Sequence, residues 1–332
     1  MSNLDVHVWV HRSRGLVGGR VDNVYALGDA VYLKLRAGGD VKFLALEAGV
    51  RAHATSRVSG LGEAFRGFPS VVRRYLRDRR IDGVEQLGFD RVLRFTFSGG
   101  VELYVELLPR GFMVLVGGGK VVAASRYAEL RDRVVKPGVQ YEPPPLQTVN
   151  PFELSFEELA SRSSVGVDVV RGLVKGVGLP GEVAEEVLFR AGLKPDLDPR
   201  ALDLGVYRKV WEELGNLYRE SLEGRGYLVL KEGVPFEATP FKPRRAVEDS
   251  VKVFESFDEA LDELFSSRAL VDDKLVREEI SKLERSLRDA EELESRYRAE
   301  ATARRLEAEV LARNYEAVDS IVECVRRSWR LR

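Results

Sequence analysis

Five arginines, Arg73, Arg74, Arg77, Arg79 and Arg80, crowd into one short run with Tyr75 among them and only Asp78 opposed. Guanidinium forks grip phosphate oxygens in pairs, so Arg73, Arg74, Arg77 and Arg80 are candidate phosphate or RNA contacts; the other reading is a solvated helix face. A second candidate lies in RGLVKGVGLPGEVAEEVLFRAG (171–192). There Gly176 and Gly178 permit a tight turn that would aim backbone N–H groups at a phosphate, or would simply let two helices pack closely. A third is Asp90-Arg91, at the mouth of a strand, where successive side chains face opposite ways. From the pattern alone one of that pair is expected in a core ion pair and the other in solvent.

Other chemistry fails on spacing. His7 and His11 stand four apart but Val8 breaks the metalloprotease pattern, and His53 supplies no third ligand, so no metal site is expected. Gly117-Gly118-Gly119-Lys120 has Val114 and Val121 where a phosphate loop needs Gly and Ser or Thr, and is read as a hairpin turn. A single cysteine, Cys324, excludes a disulfide framework and a cysteine zinc site. No nucleophile elbow and no Cys/His pairing stands out, so neither a catalytic constellation nor a cofactor is expected.

The elements that must carry these residues read as α+β. An opening segment of helical length precedes VDNVYAL, VYLKLR and VKFLAL, the last two alternating about AGGD as a hairpin. A helix begins near Pro69 in FPSVVRRYLRDRR, with Val72, Tyr75 and Leu76 at helical spacing. VLRFTF, VELYVELL, FMVLV and VVAAS, separated by SGG, PRG and GGGK, form an antiparallel meander. The proline-rich KPGVQYEPPPLQTVNP is an extended connector, followed by short helices to about residue 220, a hairpin over 227–243 and a helix from about 256. Three domains are expected, over 1–145, 146–247 and 248–332.

The last of these is nearly free of Gly and Pro. Val276, Ile280, Leu283, Leu287 and Ala290 step by four and three, as do Leu311, Tyr315, Val318, Val322, Val325 and Trp329, with ATARRLEAEV interrupting the phase. This is a coiled-coil arm whose stripe has no partner strand before Arg332, so the expectation is a chain cut short of that strand or one that pairs with another chain.

The net charge is −1 over 332 residues, but residues 1–145 carry +7 and the remainder −8. An anionic partner would therefore meet the front. No apolar run approaches the roughly 20 residues of a membrane span and no signal-peptide core is present, so a cytoplasmic protein without membrane contact is expected.

The ordered set SNLDVHVWV, GGRVDNVYAL, LEAGVRAHATS, FPSVVRRYLRDRRIDGVEQLGFDRVLRF, VELYVELLPRGFMVLV, KPGVQYEPPP, GLPGEVAEEVLFRAG, FESFDEALDELF and LARNYEAVDSIV resembles the NFACT family across essentially the whole chain. These are ribosome-associated quality-control factors, also labelled fibronectin-binding protein A homologues, and the likeness is to the N-terminal half of an archaeal type. The resemblance implies an antiparallel-sheet NFACT domain of glycosylase-like architecture, a small helix-hairpin-helix domain and the outgoing half of a coiled coil. It further implies a non-enzymatic protein whose partners are tRNA and the large ribosomal subunit obstructed by peptidyl-tRNA, where the ribosome adds a template-free tail to the nascent chain. Asp5, Asp90 and Arg91 match the family's tRNA-engaging positions. The alternative is a DNA-lesion binder or vestigial formamidopyrimidine-DNA glycosylase; those enzymes begin with a proline nucleophile and a glutamate, where this chain has Ser2 and Asn3.

Overall fold

The computed structural model describes residues 1–146 and 149–329, apart from the side chains of 249, 267–281 and 284. Two compact units result, Met1–Ser267 and Arg268–Arg332.

In the first unit, α1 (Asn3–Arg12) leads into β1 (Arg20–Leu27), β2 (Ala30–Ala37), β3 (Asp40–Glu47), β4 (Arg51–Thr55) and β5 (Gly62–Glu63). α2 (Gly67–Leu76) connects these to β6 (Ile81–Gln86), β7 (Val92–Phe97), β8 (Val101–Glu106), β9 (Met113–Gly117) and β10 (Lys120–Ala124). The strands form two antiparallel five-stranded sheets, ordered β4-β3-β2-β1-β5 and β10-β9-β8-β7-β6. Alternation sends Leu33, Leu35 and Leu44 from one sheet and Phe95, Leu103 and Leu115 from the other into a single core, closed by Val6 and Trp9 of α1 and by Val72 and Leu76 of α2. Mixed α/β with antiparallel sheets is the architecture that the alternation predicts. Gly117–Lys120 is the tight β9–β10 turn, with both central glycines at positive φ.

β8 is buried on both faces because the chain after β10 folds back over the second sheet. β11 (Ala128–Glu129) and β12 (Val134–Val135) form a small ladder, and Val135 and Tyr141 pack on Tyr104, Phe112 and Val114. The start of the proline-rich segment is thus a cover rather than the extended connector that its composition predicts. Arg133 holds it down: its guanidinium donates two hydrogen bonds to Glu106, both 2.7 Å, with the two side chains 5% and 0% exposed. Tyr141 donates a third at 3.1 Å. A buried carboxylate survives only when paired and hydrogen-bonded in this way.

α3 (Phe156–Ser163), α4 (Val169–Gly172), α5 (Gly181–Arg190) and α6 (Leu204–Ser221) follow. Their core includes Leu159, Leu173, Val183, Val187, Val210 and Leu214. α1 belongs to both cores, since Leu4 and Val8 join this helical layer while Val6 and Trp9 join the sheets. Two apolar stripes on one short helix make it the spine between the layers. β13 (Gly226–Lys231), β14 (Val234–Thr239) and β15 (Val251–Phe254) complete the unit as a three-stranded sheet ordered β14-β13-β15. The start of α7 (Phe257–Arg313) is tied to β4 through Asp262, which accepts from Thr55 at 2.5 Å and from the Ser56 amide at 3.0 Å, and bonds His53 at 3.0 Å.

The second unit comprises the rest of α7 and α8 (Tyr315–Trp329). Pairs such as Glu294–Arg298 at 2.8 Å support the exposed helix. Leu283, Leu287, Leu311, Tyr315, Val322, Val325 and Trp329 are exposed, whereas Val276 and Ile280 lie outside the described side chains. Among the described residues, no helix is long and apolar enough to cross a membrane.

Candidate nucleic-acid interface

Asp90 and Arg91 occupy the turn between β6 and β7. The Arg91 amide donates to Asp90 Oδ1 at 2.7 Å, and its carbonyl accepts from the Leu107 amide at 2.7 Å. The backbone is therefore pinned on both sides, while the guanidinium has no hydrogen-bond or ion-pair partner among the described residues. The core ion pair that strand alternation predicts for one of the two is not formed; the pair sits in a turn, where alternation does not apply.

Two amides that the sequence pattern left unremarked position this turn. Asn3 Nδ2 donates to the Phe89 carbonyl at 3.2 Å and to the Gly178 carbonyl at 2.8 Å. Gln86 Nε2 donates to the Asn3 and Asp90 carbonyls, each at 2.9 Å. Its Oε1 then accepts from His7 Nδ1 at 2.8 Å, which leaves His7 Nε2 to accept from the Tyr218 hydroxyl at 3.2 Å. Burial lowers the His7 pKa, in keeping with a neutral ring. Asn and Gln total only eight in this chain, and two of them meet here. That scarcity was the available signal.

Through Asn3 the Asp90-Arg91 turn is fastened to the turn before α5, and the two line one cleft of about 500 Å³. Its walls include Met1, Asp90, Arg91, Gly178, Pro180 and Glu182. Gly178 has φ +83° and its N–H donates to the Val174 carbonyl at 3.1 Å, so that amide closes the preceding helix and is not aimed at a ligand. Gly176 does not line the cleft. A Cβ there would overlap the Arg162 carbonyl, and one on Gly172 the Ser163 carbonyl; both glycines serve the close passage of α3. The donors offered to an anion are instead the first amides of α5, which begins after Pro180 without a side-chain cap.

Asp5 closes a capping box with Ser2: Ser2 N donates to its carboxylate at 2.7 Å, and Asp5 N to Ser2 Oγ at 3.2 Å. Burial pushes its pKa up to about 6, the chain's amino group and the Ser2 bonds opposing and the Glu182 charge adding to the rise. Glu237 on β14 is pushed to about 7, first by burial and then by Glu182 and Asp5. Asp5 therefore completes the α1 capping box and belongs to an acidic group with Glu237 and with Glu182, which lines the cleft.

The arginine run is a separate surface: Arg73, Arg74, Arg77 and Arg80 are absent from the cleft wall. The helix expected through FPSVVRRYLRDRR stops at Leu76. Asp78 turns at φ 68°, and its amide and the Arg79 carbonyl bond Val21, both at 2.8 Å, which pulls the chain into the edge of the first sheet. Arg74, Arg77 and Arg80 are exposed. Arg73 pairs with Glu63 at 3.3 Å and lies 5.2 Å from the ring of Phe65, which is 71% exposed and was missed from sequence. Arg79 is spent on the Tyr75 and Ser98 carbonyls.

The family described as NFACT N-terminal and middle domains matches residues 5–330. The archaeal Rqc2 homolog aRqcH of Methanocaldococcus jannaschii is 25% identical over 351 residues, covering 99% of this chain and 52% of that protein. The human ribosome quality control complex subunit NEMF is 26% identical over 366 residues, covering 98% of this chain and 34% of that protein. The chain thus spans about half or less of the length of these relatives. The N-terminal part of the fibronectin/fibrinogen-binding protein of Streptococcus suis has a similar fold, with a TM-score of 0.63 and 20% identity over 80% of this chain and 99% of that one. The match covers nearly all of the chain, from within α1 to the end of α8: the chain belongs to the NFACT family.

Proposed function

We propose that the chain is a non-enzymatic, cytoplasmic ribosome quality-control factor that binds tRNA and obstructed large ribosomal subunits, supporting template-free tailing of stalled nascent chains. The observation that carries the reading is the cleft in which Asp90, Arg91 and the start of α5 converge. A pinned backbone with an uncommitted guanidinium is preorganised for a phosphate or for stacking on an unpaired base. The uncapped amides of α5 add a second anion donor, and Asp90 and Glu182 accept from base amino groups. A folded RNA with exposed, unpaired nucleotides presents all of these partners at once. The relatives named as ribosome quality-control subunits support the same conclusion. In this scheme the ribosome performs peptidyl transfer, and the chain positions tRNA. Arg74, Arg77 and Arg80 supply further phosphate contacts.

Fluorescence anisotropy with labelled tRNA and with lesion-bearing duplex DNA, at several salt concentrations, tests the reading. Tighter binding of tRNA at every salt concentration is expected. Equal or DNA-preferring binding would overturn it and favour a lesion binder; salt dependence alone separates nothing, since both partners release counterions.

A further inference from the structure

Trp211, Gly215 and Tyr218 follow at intervals of four and three on α6 and so share a face. The two rings stand two turns apart, about 10.5 Å along the axis, with the glycine between them. Glycine inside a helix is unfavourable relative to alanine, and neither a left-handed backbone nor a close approach calls for it here. Gly215 has no positive φ, and a Cβ built on it meets nothing within 4 Å. Its bareness opens a cavity of about 450 Å³, completed by Pro151, Phe152, Asn216 and Arg219.

The walls are aromatic and held in place. Tyr218 stacks on Phe152 with ring centroids 4.0 Å apart and planes 16° apart. Trp211 donates its Nε1–H to the Leu154 carbonyl at 2.8 Å yet remains 40% exposed. At the rim Arg219 donates to Asn216 Oδ1 at 2.5 Å, Asn216 Nδ2 donates to Glu213 at 3.3 Å, and Glu212 stands beside them.

We propose that this slot takes one unpaired base of single-stranded RNA, stacked over Gly215 against Trp211, with Arg219 toward its phosphate and Glu212 at its hydrogen-bonding edge. The proposal rests on the RNA-binding reading above. A gap floored by a bare glycine between ring walls admits a flat guest, and aromatic walls stack on any base. The guanidinium of Arg219 complements a backbone phosphate, a partner that an apolar protein side chain would not offer.

Titration of the whole chain with a short single-stranded adenosine oligomer, and with the same oligomer made abasic, tests this through tryptophan emission and anisotropy. The adenosine oligomer should quench emission in the wild type and not in Trp211→Phe, and the abasic oligomer should not quench. Gly215→Ala raises a methyl group on the floor of the slot while improving the helix, so it should raise Tm and weaken adenosine binding about tenfold. Wild-type affinity and quenching in Gly215→Ala, or equal binding of the abasic oligomer, would overturn the proposal and give the slot to a protein side chain. RNA binding that depends on Arg91 but not on Gly215 would remove the slot and leave the cleft reading standing. A wild-type chain that binds no RNA would remove both.

Discussion

Arg91 has its backbone fixed by its neighbours, while its guanidinium is without a partner among the described residues. The fixing falls to small polar side chains: Asn3 bridges the Phe89 and Gly178 carbonyls, and Gln86 joins Asn3, Asp90 and His7. None of this follows from residue type alone, because an amide's partners are set by three segments that meet only after folding. Asp5 shows the same limit. Its match to a family position is legible, but its place in a capping box and beside Glu182 and Glu237 is not. The acidic group makes a pH prediction. Glu237 binds its proton more tightly in the folded state, with a pKa near 7 against an ordinary 4.5, so its burial is costless at low pH. The penalty grows as pH rises from the unfolded value and is complete above about 7. Glu237→Gln should therefore raise Tm at pH 8, by the equivalent of roughly 1 to 3 kcal/mol, and should match the wild type near pH 4. Thermal melts of the two proteins across that range check it; an equal difference at both ends would show that charge is not the cause.

At the scale of elements, the glycines of the α4–α5 region divide by what surrounds them. Gly172 and Gly176 face the carbonyls of α3, so a methyl group at 176 forces the two helices apart. Gly176→Ala is expected to cost about 1 to 3 kcal/mol in urea unfolding, the usual penalty of overpacking, whereas a neutral result would mean that the crossing relaxes freely. The same contrast governs what the sequence made legible. β2, β3 and β7 to β10 were readable because one side of each strand faces a core and alternation records it. The end of α2 was not, because Asp78 and Arg79 leave the helix to bond Val21, far away in sequence. Nor was the folding of residues 133–141 onto the second sheet, where a proline-rich composition suggested a free connector but the Glu106–Arg133 pair and Tyr141 anchor a lid.

For the molecule as a whole, the cations of the basic front fall on two distinct surfaces: a cleft lined by Arg91, and an arginine face that ends in a turn. Both lie in the unit Met1–Ser267, and Arg268–Arg332 supplies an exposed apolar stripe. The cleft draws on the start of α1, the β6–β7 turn and the start of α5 together. The most direct test is the affinity of folded Arg91→Ala for tRNA, measured by anisotropy over a series of salt concentrations and accompanied by its melting temperature. The expected result is an unchanged Tm, affinity lower by about tenfold and a salt slope reduced by about one. Unchanged affinity and slope in a folded variant would contradict the assignment of the cleft as the tRNA contact.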